Sequence, residues 1–195
     1  MILLYPGSFD PVTLGHVDIA SRGAQLASRL IVSVLDNPNK NNLFSVQERV
    51  QFLRNVFRGY DNIEVDSFSG LLAEYALLKG AKAILRGLRI PDDFEVESRY
   101  AAYNRMLSGA AQGGIETVFI SASPALSYLS SSIVREAAAH IYAGDLFKTG
   151  DLALKTMVPP EVYVALKEKY KCEDSQSEFL HQPISAAAER RHGLK

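Results

Sequence analysis

The sequence predicts an α/β fold: a mostly parallel five-stranded sheet with helices on both faces. Three observations carry this reading. Short apolar runs recur along the chain at intervals of helical length. Those runs are close to all-apolar rather than alternating, as strands buried on both faces are. And the opening run, Ile2 to Tyr5, breaks into Pro6-Gly7-Ser8-Phe9-Asp10-Pro11 and then Thr13-Leu14-Gly15-His16 before a helix-compatible segment. A buried strand that feeds a helix through a tight Gly/Pro loop is where such proteins hold phosphates, because free N–H groups and the helix dipole face the anion.

Taken in order, strands are expected at residues 2–5, 30–35, 63–67, 83–85 and 117–120, with helices at 15–27, 46–57, 71–79 and 92–107 between them. Ser45 followed by Glu48 reads as a capping box that opens the second helix. Two more helices are expected at 130–140 and 161–170, the latter started by Pro159-Pro160, since proline suits the first helical turn. The polar clusters at 6–16, 36–44, 67–72, 86–93 and 121–132 all follow strands, the end at which such sheets bind ligands.

At 195 residues and 47% hydrophobic, the chain builds one core. A single domain is expected over 1–170, with a small-residue loop at 108–114, an inserted segment around 141–156 and an extension at 171–195 carrying four basic and four acidic side chains. The charge balance, 21 Lys and Arg against 22 Asp and Glu, argues against a nonspecific nucleic-acid partner. One cysteine, Cys172, excludes a disulfide framework or CxxC site, and four scattered histidines offer no zinc spacing. With no apolar run of membrane-spanning length and no basic leader, the expectation is a cytoplasmic protein that uses no membrane.

His16 stands out as the first candidate for chemistry. A histidine at a helix start is often only packed or capped there, but Gly15 and the Pro6-Gly7 turn favour close approach to a ligand. An imidazole at that position is biased toward neutrality and still donates one hydrogen bond to a phosphate. Ser8 offers a second donor or a turn cap, and Asp10 is expected to stabilise its loop through a local Asx-type bond. Arg86-Gly87-Leu88-Arg89 places two guanidinium forks after the fourth strand, suited to a phosphorylated ligand if they are more than surface charges. Of the acidic residues that follow, some should orient those arginines, while Glu97 is in range of a ligand hydroxyl. Lys40 lies on the polar loop Asn37 to Asn42, either solvated or closing over a transferring group. Ser130, Ser131 and Ser132 read first as N-caps and second, with Arg135 a turn along, as a phosphate cradle.

Three absences narrow the reaction. There is no GxxxxGK[ST] loop, no GxGxxG fingerprint and no nucleophilic triad order. Several phosphate-oriented groups with no evident protein nucleophile suit direct transfer between two bound phosphorylated ligands.

The motifs YPGSFDPVTLGH (5–16), NPNKNNLFSVQERV (37–50), SGLL (69–72), ILRGLRIPDDFEVE (84–97) with Asn104, and LSSSIVRE (129–136) resemble those of bacterial phosphopantetheine adenylyltransferases, within the HxGH nucleotidyltransferase superfamily. The likeness covers 2–140 and 157–170. It implies a Rossmann-like, HUP-type fold and transfer of the adenylyl group of ATP to 4'-phosphopantetheine, with Mg²⁺ as cofactor and no protein-held metal. It also implies a homohexamer built as a dimer of trimers, and coenzyme A as a feedback ligand. By the same resemblance, catalysis falls on His16, Lys40, Ser8 and Arg89. The ATP side falls on Ser8, Phe9, His16, Gly87, Arg89, Glu97, Ser130, Ser131 and Ser132, and the acceptor side on Ser8, Lys40, Leu71, Leu72, Arg86 and Asn104.

The chain departs from the family pattern in places. It has no tryptophan, it reads SASPALSYLSSS before the serine cradle, and Asn41 and Asn42 stand where lysine and proline often follow Lys40. Related superfamily members usually carry histidine where this chain has Thr13, which points to the pantetheine branch. The alternatives are a nicotinate-nucleotide or choline- or glycerol-phosphate-type nucleotidyltransferase, or a non-catalytic nucleotide- or coenzyme A-binding module.

Overall fold

A computed structural model describes residues 1–38, 40–109, 114–143 and 147–177. Strands β1 (Ile2–Gly7), β2 (Arg29–Leu35), β3 (Ile63–Phe68), β4 (Ala83–Leu88) and β5 (Glu116–Ser121) form one parallel sheet in the order β3-β2-β1-β4-β5. The connecting helices are α1 (Leu14–Gln25), α2 (Val46–Val56), α3 (Leu72–Leu78), α4 (Pro91–Leu107), α5 (Ser131–Ala143), α6 (Phe147–Lys155) and α7 (Pro160–Ser177).

The near-continuous apolar runs are those of the inner strands. Leu3, Leu4, Leu30, Ile31, Val32, Ile84 and Leu85 are wholly buried, because β1, β2 and β4 have a neighbour on each edge and a helical layer on each face. The edge strands depart from the all-apolar expectation: β3 reads IEVDSF, with only Phe68 fully enclosed, and β5 begins and ends exposed. Leu3, Tyr5, Leu30, Val32, Val34 and Leu85 pack under α1, α2, α5, α6 and α7 in the larger core, while Leu4, Ile31 and Ile84 pack with Ala76 of α3 on the other face.

Ser45 and Glu48 form the expected capping box, with Ser45 N–H donating to Glu48 at 2.7 Å and Glu48 N–H to Ser45 Oγ at 3.2 Å. The segment read as an insertion, 141–156, contributes to the core. Within it α5 runs on to Ala143 and α6 begins at Phe147, and Tyr142 and Leu154 are part of the larger core. Helix α7 continues past residue 170 to Ser177; residues 178–195 of the expected extension and 110–113 of the small-residue loop lie outside the described residues.

Candidate active site

The order β3-β2-β1-β4-β5 reverses direction between β1 and β4, and a parallel sheet opens a crevice beyond the strand ends at that point. The register shows how far it opens. β1 pairs with β2 over six residues, from Ile2↔Arg29 to Gly7↔Val34, but with β4 only at Leu3↔Ala83 and Leu4↔Ile84. Past Leu4 the two strands part. Two cavities, of about 490 and 470 Å³, occupy the opening and share a wall made of Pro6, Gly7, Ser8, Lys40, Arg86 and Glu97.

His16 lines the first cavity. It belongs to an unusual capping box, in which Thr13 is the N-cap and the N3 residue is histidine instead of the common Glu or Gln. Thr13 N–H donates to His16 Nδ1 at 3.1 Å, and Thr13 Oγ1 lies 3.0 Å from the same nitrogen. A backbone N–H only donates, so Nδ1 is an acceptor and the neutral ring carries its proton on Nε2. Burial, followed by the positive charges of Arg89 and Arg86, pushes the pKa of His16 down to about 4. The ring is therefore neutral at pH 7, and its Nε2–H has no hydrogen-bond partner among the described residues.

Phe9 fixes the approach to this ring. Its backbone lies in the left-handed region at φ 48°, a conformation a bulky residue adopts only when its surroundings demand it. Those surroundings are aromatic edges: the Phe9 ring meets Tyr5 at 5.5 Å and His16 at 5.1 Å, both near perpendicular. Gly7 is required by the same packing, since a Cβ there would stand 2.9 Å from the Phe9 ring.

The strand runs further than expected, to Leu88, so Arg86 lies within β4 and only Arg89 follows it; each arginine is held by a carboxylate. Arg86 donates to Glu97 through Nε at 2.6 Å and Nη2 at 2.7 Å, and through Nη1 to the carbonyl of Pro6 at 2.9 Å, beyond the end of the β1–β4 ladder. Arg89 is clamped at 3.0–3.1 Å by Asp93, which also accepts from the Arg89 N–H at 2.8 Å. Burial alone would raise the Asp93 pKa, but these donors outweigh it and hold the carboxyl below the usual range. Glu97 orients Arg86 with both of its oxygens, and it lines both cavities. Gly87, between the two arginines, sits close to α1, and a Cβ on it would meet Ile19 at 3.0 Å.

Ser130, Ser131 and Ser132 line the first cavity at the start of α5. Ser130 Oγ caps the helix, accepting from Ile133 N–H at 3.2 Å, and Ser131 Oγ donates to Pro11 O at 2.8 Å. Ser131 thereby ties the cradle to the opening loop. Lys40 is exposed on the rim of both cavities. Leu71, Leu72 and Asn104 line the second cavity, with Leu71 at the N-cap of α3 and Asn104 buried on α4.

Asp10 corrects the sequence reading. It makes no local Asx-type bond. It is 2% exposed and spans the fold, accepting from Leu43 N–H at 2.8 Å, Phe44 N–H at 2.9 Å and Arg135 Nη1 at 3.0 Å. Arg135 is thus held against Asp10 on the wall of the first cavity. Beside this network lies Arg49, which sequence reasoning missed. It is 1% exposed and donates to the carbonyls of Ser8 at 2.7 Å, Phe44 at 3.0 Å, Ser45 at 3.3 Å and Leu35 at 3.4 Å. Burial lowers its pKa, against the opposing pull of Asp10 and Asp36. Asp10 and Arg49 together bind the loop bearing Ser8 to the segment that follows Lys40.

Among the described residues, no group of three or more His, Cys, Asp or Glu side chains converges as a metal cage. The carboxylates at the crevice are engaged: Asp10 by three donors, Asp93 by Arg89 and Glu97 by Arg86. These side chains do not fit a divalent ion held by the protein.

The cytidylyltransferase-like family model matches residues 4–137. A phosphopantetheine adenylyltransferase of Nostoc punctiforme is 45% identical over 188 residues, covering 96% of this chain and 93% of the relative. One from Gloeothece citriformis is 54% identical over 138 residues, covering 71% of this chain and 85% of its own length. The chain belongs to the phosphopantetheine adenylyltransferases. Among solved structures, a Plasmodium falciparum nicotinic acid mononucleotide adenylyltransferase complexed with APC superposes with a TM-score of 0.60, covering 89% of this chain and 96% of its own, at 15% identity; this likeness concerns the fold.

In this phosphopantetheine adenylyltransferase, the first cavity gathers Ser8, Phe9, His16, Lys40, Arg86, Gly87, Arg89, Glu97 and the three serines. Leu71, Leu72 and Asn104 stand apart in the second, joined to the first only through the shared wall. Arg49 left one signal in the sequence, an arginine three residues inside an amphipathic helix on the turn that faces the core. The Asp18 carboxylate was also overlooked. Burial opposes its charge, yet Ser123 and Arg22 hold its pKa below the usual range, and through Ser123 it anchors the loop after β5.

Proposed function

We propose that the two cavities hold ATP and 4'-phosphopantetheine and that the site transfers the adenylyl group to the acceptor by direct in-line displacement, giving dephospho-coenzyme A and pyrophosphate. The observation that carries this reading is the shared wall of Ser8, Lys40, Arg86 and Glu97 between two cavities of similar size, with the Nε2–H of His16 on one side of it. ATP takes the first cavity, with its phosphates among Ser8, the Phe9 loop, His16, Gly87, Arg89 and the serines at 130–132. The acceptor takes the second, its phosphate at Ser8, Lys40 and Arg86 and its arm along Leu71, Leu72 and Asn104.

The acceptor phosphate has a second pKa near 6 and is largely a dianion at neutral pH, so it needs no general base. Its oxygen forms the new bond to the α-phosphorus while the bond between that phosphorus and the bridging oxygen breaks, releasing pyrophosphate. The protein's task is alignment and stabilisation of charge on the equatorial and leaving oxygens. His16, locked as the Nε2–H tautomer, donates without holding a competing positive charge. Lys40, on an exposed loop, neutralises charge on closing, and Arg89 is pre-aimed by Asp93.

Mg²⁺ belongs in this reading as an ion carried by the triphosphate, and no step is assigned to it. Coenzyme A contains both halves of the site's occupants and is proposed as a feedback ligand of the same crevice. A homohexamer, as a dimer of trimers, is supported by the exposed apolar side chains of α4, namely Phe94, Val96, Tyr100, Tyr103 and Met106. No helix among the described residues is long and apolar enough to cross a membrane, and a cytoplasmic location is proposed.

Pyrophosphate release from ATP that depends on 4'-phosphopantetheine tests the function. Exchange of labelled pyrophosphate into ATP at a competent rate without acceptor would reveal an adenylyl-enzyme and end the direct-displacement reading.

A further inference from the structure

Thr117 occupies a position in the second cavity that none of the roles above uses. It lies on β5 opposite Ile84, two residues before the Phe119↔Arg86 pair. Side chains two apart on a strand share a face, so Thr117 stands on the same sheet face as Arg86 but about 6–7 Å further from the strand ends. It therefore lies on the cavity floor away from the strand ends, in a lining that also includes Leu71, Leu72, Tyr100, Tyr103 and Asn104. Its Oγ1 is buried and has no hydrogen-bond partner among the described residues.

A buried hydroxyl without a partner is costly, and valine would fill the same volume on a strand at no such cost. In the rotamer present the hydroxyl is enclosed instead of facing the cavity, so a ligand supplies the missing bond once the side chain turns. One step about χ1 exchanges its methyl and hydroxyl, which brings either to the cavity. The chemistry of the proposed acceptor matches. With its phosphate at Arg86 and Lys40, its arm runs inward through a channel with few polar groups, and that arm carries amides that need partners once desolvated. A hydroxyl both donates and accepts, so it suits either end of an amide.

We infer that the Thr117 hydroxyl hydrogen-bonds an amide of the acceptor's arm and is a specificity-determining group of this cavity. The inference rests on the assignment of 4'-phosphopantetheine as acceptor.

Steady-state kinetics and thermal unfolding of the full chain with Thr117→Val and Thr117→Ser test it. Thr117→Val is expected to raise KM for 4'-phosphopantetheine about three- to tenfold, with kcat and KM for ATP within about twofold of the parent. Its melting temperature is expected to rise, because the orphaned group is gone, and Thr117→Ser should restore KM. An unchanged acceptor KM in Thr117→Val, with adenylyl transfer intact, overturns the inference and leaves the acceptor assignment standing. A fall in melting temperature, with both KM values rising together, assigns Thr117 to packing and overturns it as well. If the parent chain forms no dephospho-coenzyme A, the acceptor assignment fails and takes the inference with it.

Discussion

Arg86 and Glu97 face each other through two parallel hydrogen bonds on the wall common to both cavities, and Arg86 reaches across the strand gap to Pro6 with a third. Three of the five guanidinium N–H groups are thereby fixed, which leaves two, already oriented, for an anion. Glu97→Gln keeps the shape and removes the charge assistance. The expected result is a fall of about ten- to hundredfold in kcat/KM, given the roughly 1.5–3 kcal/mol typical of hydrogen bonds to charged groups. Initial-rate measurements with each substrate varied in turn will check this. A change below about threefold would mean that Arg86 holds its place without its partner.

His16→Ala removes the only imidazole of the opening motif. Loss of one preorganised donor to a developing oxyanion costs roughly 2.7–4 kcal/mol, so turnover is expected to drop about 10²- to 10³-fold. Single-turnover kinetics with saturating substrates isolates this step, and an effect under about tenfold would remove His16 from its central role.

The lowered pKa of His16 also sets a stability window. Its folded value, about 4, lies beneath the ordinary imidazole value of 6.5, so the unfolded chain binds more protons between those limits. The contribution of the neutral ring is complete above pH 6.5 and is lost progressively as pH falls toward 4. The lowered carboxylates, including Asp18, Asp66 and Asp93, start from an ordinary value of 3.8, and Glu48 from 4.5, so they add to the loss only near and below those values. Urea unfolding at pH 7 and pH 5 should therefore show a smaller pH dependence in His16→Asn than in the parent; equal slopes would refute the shift.

Asp10→Asn leaves one carbonyl oxygen where two oxygens now accept from Leu43, Phe44 and Arg135. One backbone N–H then faces an amide NH₂, and the Arg135 charge loses its partner. A loss of about 2–4 kcal/mol is expected from breaking a buried, hydrogen-bonded pair on one side, measured by denaturant titration. Because the same bonds secure the segment after Lys40, kcat should fall too. Unaltered stability would show that solvent replaces the network.

The sheet was legible because the inner strands carry near-continuous apolar runs and each is followed by a punctuating loop. The chemistry at the strand ends was legible for the same reason: Pro6-Gly7, Arg86-Gly87 and the triple serine interrupt hydrophobic patterns, and interruptions are what a sequence displays. What stayed hidden has no local signature. Asp10 reads as an Asx-turn residue because the donors it serves lie more than thirty positions away. Arg49 sits in a helix where arginine is ordinary, and only the convergence of four carbonyls from three segments makes it exceptional. Helix α6 escaped notice because Lys148-Thr149-Gly150-Asp151 looks like a turn, whereas its apolar stripe becomes evident only against α5 and α7. The engagement of Glu97 by Arg86 likewise depends on a strand and a helix meeting.

The parting of β1 from β4 after Leu4 produces two chambers with one partition, and that partition has a thermodynamic consequence. Two small molecules entering separately each surrender their freedom to translate and tumble, while one molecule that spans both chambers surrenders it once. On the proposed placement of the two substrates, dephospho-coenzyme A is such a molecule, and its release is expected to be slower than that of either substrate.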